Sequence, residues 1–290
     1  MPFDKYSTPM TERQLMAACS RIKHVALDMD GTIYMGSTLF PYTHAFLEML
    51  TALGISYSFL TNNPTKNRGD YLRKLQNLGI EASDQQMYTS SIATIDYIRQ
   101  HYPGVKRIYA LGTPSMQAEF RKAGFELTQD DPSDRPDMLV VAFDTTLTYE
   151  RFCRAAWWAS KKEIPYIATN PDWVCPTDQE TILIDCGSLT RCIEGATKRL
   201  PDAVIGKPNP IMLYTLRDSL GLKSDEIAMV GDRIYTDVAA GLNAGNLGVL
   251  VLSGETTLEV AEASDVNPDI IALNILEFGK LLYKSRGYKY

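Results

Sequence analysis

Asp28-Met29-Asp30-Gly31-Thr32 follows directly on His24-Val25-Ala26-Leu27, an apolar run of strand length. Gly31 breaks this run, so the two aspartates stand where a buried strand ends. Open α/β sheets place their ligands at the carboxyl ends of their strands. A pentapeptide of this kind is also compatible with a polar turn, and the remainder of the chain decides between the two interpretations.

Three further apolar runs end in polar residues in the same way. Thr61-Asn62-Asn63 follows the run 55–60, and Gly206-Lys207-Pro208 follows the run 203–205. The fourth polar segment, Gly231-Asp232-Arg233-Ile234-Tyr235-Thr236-Asp237, follows the run 227–230. Four strand ends that carry acids, an amide, a hydroxyl and a lysine predict one concave site with several charges.

The ordered set D-x-D-G-T, T-N-N, G-K-P and G-D-R-x-x-T-D resembles the haloacid dehalogenase superfamily of phosphotransferases. It is most similar to class IIA of that superfamily, the para-nitrophenyl phosphatase-like or NagD-like group, over nearly the whole chain. The resemblance implies an α/β fold. Its core is Rossmann-like, with a parallel sheet and helices on both faces, and it carries an inserted α/β cap domain of type 2.

The spacing of the motifs predicts where the insertion lies. The first two motifs are separated by one helix and one strand, whereas the stretch from Thr61 to Lys207 is as long as a domain. That stretch has its own alternation of strand-like and helical patterns. We therefore predict a catalytic core formed by 1–83 and 189–290 and an inserted cap formed by 84–188.

The resemblance also implies roles for individual residues. Asp28 is the expected nucleophile, which attacks phosphorus to give an aspartyl-phosphate. Asp30 is the expected general acid and base, and Lys207 supplies fixed positive charge. The residues expected to bind phosphate are Thr61, Asn62 and Gly31. The residues expected to face the substrate are Asn63, Asn170 and Asp172, although Asn170-Pro171-Asp172 is also a common turn sequence.

A nucleophilic carboxylate repels a phosphate dianion, so a divalent cation is expected, and hard oxygen ligands suit Mg²⁺. By resemblance, Mg²⁺ is held by Asp28, the backbone carbonyl of Asp30, and Asp232. Asp237 is expected to hold metal-bound water or to orient Lys207.

Composition narrows the remaining choices. A formal net charge of −6 argues against a nucleic-acid partner, and no apolar run is long enough for a membrane span. The five cysteines form no C-x-x-C pair, which favours the cytoplasm, while a zinc site from Cys175, Cys186 and Cys192 is a weaker alternative. One residue of Trp157-Trp158 is expected in the core, and the other could mark a homodimer interface.

These observations predict an enzyme, a phosphoric monoester hydrolase, that uses Mg²⁺ to hydrolyse a small phosphorylated metabolite. A phosphotransferase or phosphomutase with the same aspartyl-phosphate is one alternative. A receiver-like signalling module or a non-catalytic binding protein is another, although receivers are shorter and need no acid two residues after the nucleophile. The sequence does not identify the substrate, because the cap determines what fits.

Overall fold

Strands and helices alternate along residues 5–175 and 179–288, which a computed structural model describes. The strands are β1 (Tyr6–Ser7), β2 (His24–Leu27), β3 (Tyr34–Met35), β4 (Thr38–Leu39), β5 (Ser56–Thr61), β6 (Met87–Thr89), β7 (Arg107–Leu111), β8 (Glu126–Leu127), β9 (Met138–Val141), β10 (Tyr166–Ala168), β11 (Val174–Cys175), β12 (Leu183–Ile184), β13 (Ala203–Val204), β14 (Ile227–Gly231), β15 (Leu247–Val251) and β16 (Ile270–Ala272). The helices are α1 (Glu12–Arg21), α2 (Thr43–Ala52), α3 (Arg68–Asn77), α4 (Ser90–His101), α5 (Pro114–Lys122), α6 (Tyr149–Ala159), α7 (Cys186–Thr197), α8 (Ile211–Leu220), α9 (Ala239–Asn243), α10 (Leu258–Glu262) and α11 (Ile275–Lys284).

The larger sheet has the strand order β1-β16-β15-β14-β2-β5-β6. The pairs from β16 through β5 are parallel, and β1 joins β16 in the antiparallel direction. In the pairing of β14 with β2, Val230 lies opposite Leu27. Asp28, which follows Leu27, and Gly231, the last residue of β14, therefore lie at the same edge of the sheet. The first two acidic segments of the site arise from adjacent strands in matched register.

A second sheet, in the order β13-β10-β9-β7-β8, is parallel throughout. Its core contains Trp158, which is only 4% exposed, whereas the neighbouring Trp157 is 47% exposed. The prediction that one of the two tryptophans lies in the core is therefore confirmed. Lys161 places its ammonium 3.7 Å from the centre of the Trp157 ring.

The chain packs as two compact units. The first contains the described residues up to Leu60, Leu72–Tyr88, and those from Lys207 onward, and the second contains Thr61–Tyr71 and Thr89–Gly206. The larger sheet belongs almost wholly to the first unit, and the second sheet belongs to the second unit. The predicted domain limits, a cap at 84–188 and a core at 1–83 and 189–290, stay predictions.

A glycine lies just beyond the end of two helices in the first unit. Gly54 lies two residues after α2 and has a φ of 64°. Gly79 lies two residues after α3 and has a φ of 81°. Glycine adopts this left-handed conformation without the steric strain that a side chain would add.

The predicted fold class, α/β with a mainly parallel core sheet, is confirmed. None of the helices in the described ranges is long and apolar enough to cross a membrane.

His24, the first residue of β2, is buried within the first unit. Its Nδ1 lies 2.7 Å from the Ser56 hydroxyl, and its Nε2 has no hydrogen-bond partner among the described residues. Burial lowers the pKa of His24 from 6.5 to about 4. Folding therefore opposes protonation of this ring, so its contribution to stability is complete above the unfolded pKa and declines as pH falls toward the folded pKa.

The variant His24→Gln cannot take up a proton at this position. We expect it to be less stable than the wild type at high pH, and we expect this difference in unfolding free energy to shrink as pH falls. The difference in unfolding free energy between the two proteins should shrink by about 2 kcal/mol between about pH 8 and about pH 5. Urea unfolding at both pH values measures this difference, and the other titrating groups cancel in the comparison. A difference that does not change with pH would contradict the assignment.

Candidate active site

The centre of the site is a buried ammonium between two carboxylates. Lys207 Nζ donates to Asp28 Oδ1 and to Asp237 Oδ1, each at 2.6 Å. The side chains of Lys207 and Asp237 are 3% and 1% exposed, and that of Asp28 is 17% exposed. Three residues that are distant in sequence thus form one ion-paired group in the first unit, as the motif order predicts.

Asp232 adds a third carboxylate to this group. One ligand oxygen from each of Asp28, Asp232 and Asp237 lies within 4.8 Å of the others. Asp232 follows β14, and Asp237 lies in a π-helical turn, Ile234–Val238. Gly231 allows this approach, because a Cβ there would lie 2.4 Å from Asp237 Cβ.

Burial and neighbouring charges shift the pKa values of the charged groups in this site. Burial, followed by the charges of Asp237 and Asp232, raises the pKa of Asp28 to about 7 although Lys207 opposes the shift. Burial and Asp237 together raise the pKa of Asp232 to about 6. Burial alone would lower the pKa of Lys207, but the carboxylates of Asp237 and Asp28 raise it above its ordinary value. One ammonium therefore does not balance the three carboxylates.

This donor set fits a hard divalent cation. Three clustered carboxylates offer only oxygen ligands, and a bound cation would supply the missing positive charge. The group could therefore hold a metal ion, as predicted for Asp28 and Asp232. Asp30 enters the predicted set through its backbone carbonyl, and its side chain is exposed.

The turn after Asp30 is closely packed. Gly31 has a φ of 85°, and a Cβ at this position would lie 2.3 Å from Asp232 Oδ2. Its N–H donates to the Tyr34 carbonyl at 2.8 Å. Glycine is thus required both by the conformation of this turn and by the position of Asp232. The predicted phosphate-binding role of Gly31 stays a prediction.

The second unit brings together other predicted residues. Asn62 Nδ2 and Asn170 Nδ2 both donate to Asp172 Oδ2, at 2.9 Å and 3.0 Å. Asn170 Nδ2 also donates to Asp185 Oδ1 at 2.9 Å. One predicted phosphate-binding residue, Asn62, and two predicted substrate-facing residues, Asn170 and Asp172, therefore share one polar network with Asp185, which we call the Asn62–Asp185 network.

Thr61 and Asn63 lie beside this network in the chain. The N–H of Asn63 donates to the Thr61 hydroxyl at 3.2 Å. Asn63 Oδ1 accepts from both the N–H and the hydroxyl of Thr65, at 2.9 Å and 2.6 Å. Asn63 therefore holds its own loop together, and its predicted contact with substrate is not tested by these bonds.

Two features escaped the motif analysis. Asp185 caps the start of α7 and is buried, and burial is the main cause that raises its pKa to about 6. The segment Ser253-Gly254-Glu255-Thr256 follows β15, and the N–H of Glu255 donates to Asp232 Oδ2 at 2.7 Å. The same pattern, an apolar run that ends in polar residues, marks this fifth segment, but it carries no acid pair or lysine.

Comparison with known families supports this assembly of fold and site. A family model described as haloacid dehalogenase-like hydrolase matches residues 25–126, and a related model described as HAD-hydrolase-like matches residues 204–278. Together they include the segments that carry Asp28, Lys207 and the two later aspartates.

Individual relatives agree with these matches. An acid sugar phosphatase from Staphylococcus aureus is 33% identical over 85% of this chain and 92% of its own. The solved structure of a 4-nitrophenylphosphatase from Thermotoga maritima is 39% identical, covers 91% of this chain and 98% of its own, and has a TM-score of 0.84. NagD from E. coli K-12 is 29% identical, covers 88% and 97%, and has a TM-score of 0.78.

The fold and the acidic cluster define a haloacid dehalogenase-like hydrolase, and the chain belongs to that family. Within the family it groups with the para-nitrophenyl phosphatase and NagD proteins, and it is a phosphoric monoester hydrolase, as the sequence predicts.

The ion-paired group predicts that Lys207 contributes much more to the free energy of unfolding than a surface lysine does. We expect Lys207→Met to lower the unfolding free energy by about 3 kcal/mol or more in the presence of a chelator, because buried carboxylates lose their partner. The loss should grow as pH rises, since ionisation of Asp28 and its neighbours then goes uncompensated. Urea unfolding measures the effect.

Lys284 offers a matched control for this measurement. Its ammonium also lies 2.6 Å from a carboxylate, that of Glu12, but the pair is on the surface. Lys284→Met should leave stability nearly unchanged, because solvent screens exposed pairs. Equal losses of unfolding free energy in the two variants would show that Lys207 does not stabilise the buried carboxylates.

Proposed function

We propose that this protein is a Mg²⁺-dependent phosphatase that hydrolyses a small phosphate monoester through an aspartyl-phosphate on Asp28. The observation that carries the proposal is the buried group in which Lys207 contacts Asp28 and Asp237 beside Asp232. A carboxylate fixed against an ammonium, with further acids to hold a cation, is suited to phosphoryl transfer, in which positioning and charge stabilisation dominate.

Asp28 and Asp30 share the covalent chemistry. A carboxylate oxygen of Asp28 attacks phosphorus, the bond from phosphorus to the leaving oxygen breaks, and the Asp30 carboxyl gives its proton to that oxygen. In the second half, a water oxygen attacks the phosphorus of the aspartyl-phosphate and the Asp30 carboxylate takes the proton. Phosphate leaves, and the Asp28 carboxylate is restored.

The charges around Asp28 make this attack feasible. The ammonium of Lys207 lies beside the nucleophilic oxygen and offsets the charge of the phosphoryl group. Asp237 accepts from the same ammonium, which supports its role in orienting Lys207. Mg²⁺, held by Asp28, the carbonyl of Asp30 and Asp232, supplies further neutralisation of the phosphoryl oxygens when bound.

The remaining predicted residues define what is bound. We propose that the Thr61 hydroxyl and the Asn62 N–H bind phosphoryl oxygens, with Gly31 as a further predicted contact. Asn63, Asn170 and Asp172 face the substrate in this proposal. Amide and carboxylate groups suit a leaving group rich in hydroxyls. The acid sugar phosphatase relative supports a sugar phosphate as the first substrate to test.

The setting of the enzyme is part of the same proposal. All five cysteines are free thiols, which supports a cytoplasmic protein. The exposed Trp157 supports a homodimer whose interface includes this side chain of α6.

Phosphate release tests the function directly. We expect Mg²⁺-dependent, chelator-sensitive release of phosphate from para-nitrophenyl phosphate and from a panel of phosphorylated sugars and other metabolites. Asp28→Asn should lower kcat by roughly 10³-fold or more, because the nucleophile is lost. Asp30→Asn should lower kcat by about 10²- to 10⁴-fold, because the general acid is lost.

A surface aspartate controls for changes in net charge. Asp265 is exposed, and Asp265→Asn should keep the wild-type rate. Acid quenching followed by mass spectrometry should find the phosphoryl group on Asp28 in the wild type and on no residue in Asp28→Asn. Wild-type turnover in Asp28→Asn would refute the mechanism, whereas transfer to an added alcohol in preference to water would favour a phosphotransferase.

A further inference from the structure

The segment after β15, Ser253-Gly254-Glu255-Thr256, surrounds Asp232, and we call it the 253–256 loop. Each of its four residues contacts either Asp232 and the residues that follow it or the turn at Gly31. None of these four residues takes part in the proposed chemistry. Their shared position suggests that the loop acts through its neighbours.

The backbone of the loop binds Asp232 directly. The N–H of Glu255 donates to Asp232 Oδ2 at 2.7 Å, and the N–H of Thr256 donates to the Asp232 carbonyl at 3.2 Å. Asp232 is only 2% exposed, so water competes little for these bonds. A charge-assisted bond from a fixed N–H restricts the rotation of a carboxylate. The loop therefore sets the orientation in which Asp232 presents its oxygens.

Two glycines confine the same carboxylate. A Cβ at Gly254 would lie 2.1 Å from Asp232 Oδ2, and a Cβ at Gly31 would lie 2.3 Å from the same atom. Gly254 does not have a positive φ, so a side chain is excluded there by space and not by backbone conformation. Any residue larger than glycine at 254 must displace either the Asp232 carboxylate or the loop backbone, and both change how the two fit together.

The side chains of the loop tie it to the two segments that carry the proposed metal ligands. Ser253 Oγ donates to the Gly31 carbonyl at 2.7 Å, next to Asp30. Thr256 Oγ1 accepts from the N–H of Ile234 at 3.2 Å.

The side chain of Glu255 adds a third tie. Its carboxylate pairs with Arg233 at 2.9 Å and accepts from the hydroxyl of Tyr235. Arg233 and Tyr235 lie one and three residues after Asp232, so the loop binds this segment both through its backbone and through a side chain. It thus connects the turn at Asp30 with the segment that begins at Asp232.

We infer that the 253–256 loop is a positioning element that fixes Asp232 and the Gly31 turn for a divalent cation and thereby sets the affinity of the site for it. This inference rests on the proposed function, since it takes Asp232 as a metal ligand. Partners that orient ligands commonly contribute 10- to 100-fold to metal affinity. Ser253 and Gly254 are accordingly positioning residues and not catalytic ones.

The test uses Mn²⁺ as a probe, because it accepts the same oxygen ligands as Mg²⁺. Its electron paramagnetic resonance spectrum measures binding without turnover. We expect Gly254→Ala and Ser253→Ala in the full-length protein to weaken Mn²⁺ binding by about 10- to 100-fold. Ser253→Thr, which keeps the hydroxyl, should restore most of the affinity. At saturating metal, the KM for para-nitrophenyl phosphate should change much less than the Mn²⁺ affinity.

Two control variants separate positioning from folding. Ser219 Oγ donates to the Leu216 carbonyl at 2.7 Å, as Ser253 does to Gly31, and a Cβ at Gly195 meets nothing within 4 Å. Ser219→Ala and Gly195→Ala should bind Mn²⁺ like the wild type. Thermal unfolding without metal checks that each variant folds, and Ser253→Ala decides the question if Gly254→Ala does not fold.

Asp232→Asn distinguishes failure of the inference from failure of the proposed function. Loss of Mn²⁺ binding in Asp232→Asn, together with wild-type binding in Ser253→Ala or in folded Gly254→Ala, would overturn the inference alone. Equal Mn²⁺ binding by the wild type and Asp232→Asn would overturn the proposed metal site, and the inference with it. Weaker binding in the loop variants and unchanged binding in the controls would support both.

Discussion

The ion-paired group of Lys207 with Asp28 and Asp237 is the interaction on which the rest of the site depends. A lysine ammonium that is 3% exposed would be unstable alone, and the two carboxylates would be unstable without it. Each charge is therefore retained by the others. Because the three residues come from distant segments of the first unit, only its tertiary structure brings these charges together.

The parallel sheet explains how the acids reach one place. β2 and β14 are neighbours, and their register sets Leu27 opposite Val230. Asp28 and the segment of Asp232 therefore emerge side by side, although about two hundred residues separate them in the chain. A shift of the register by one residue would turn Asp28 to the other face of its strand. The burial of all four residues of β2 leaves little tolerance for such a shift.

Particular segments show how far sequence alone can lead. The α/β class and the buried group were predictable, because each polar segment ends an apolar run and the order of the segments resembles one superfamily. The π-helical turn that carries Asp237 was not, since a widened turn has no periodic pattern of its own.

Contacts between segments that are distant in sequence could not be predicted from the sequence either. The network that joins Asn62, Asp172 and Asp185 depends on contacts between segments far apart in sequence. The same is true of the 253–256 loop. Its polar residues were visible at the end of an apolar run, but only the structure relates them to Asp232.

The charges and the glycines of the site both bear on how closely its three carboxylates are held together. Three carboxylates repel one another, and burial, followed by this repulsion, raises the pKa values of Asp28 and Asp232. Backbone packs closely against one of these carboxylates, since a Cβ at Gly31 or Gly254 would overlap Asp232. Cation binding to such a site loses little free energy to the ordering of ligands, because the fold has already ordered them. The repulsion that folding leaves in the cluster then becomes a driving force for cation binding.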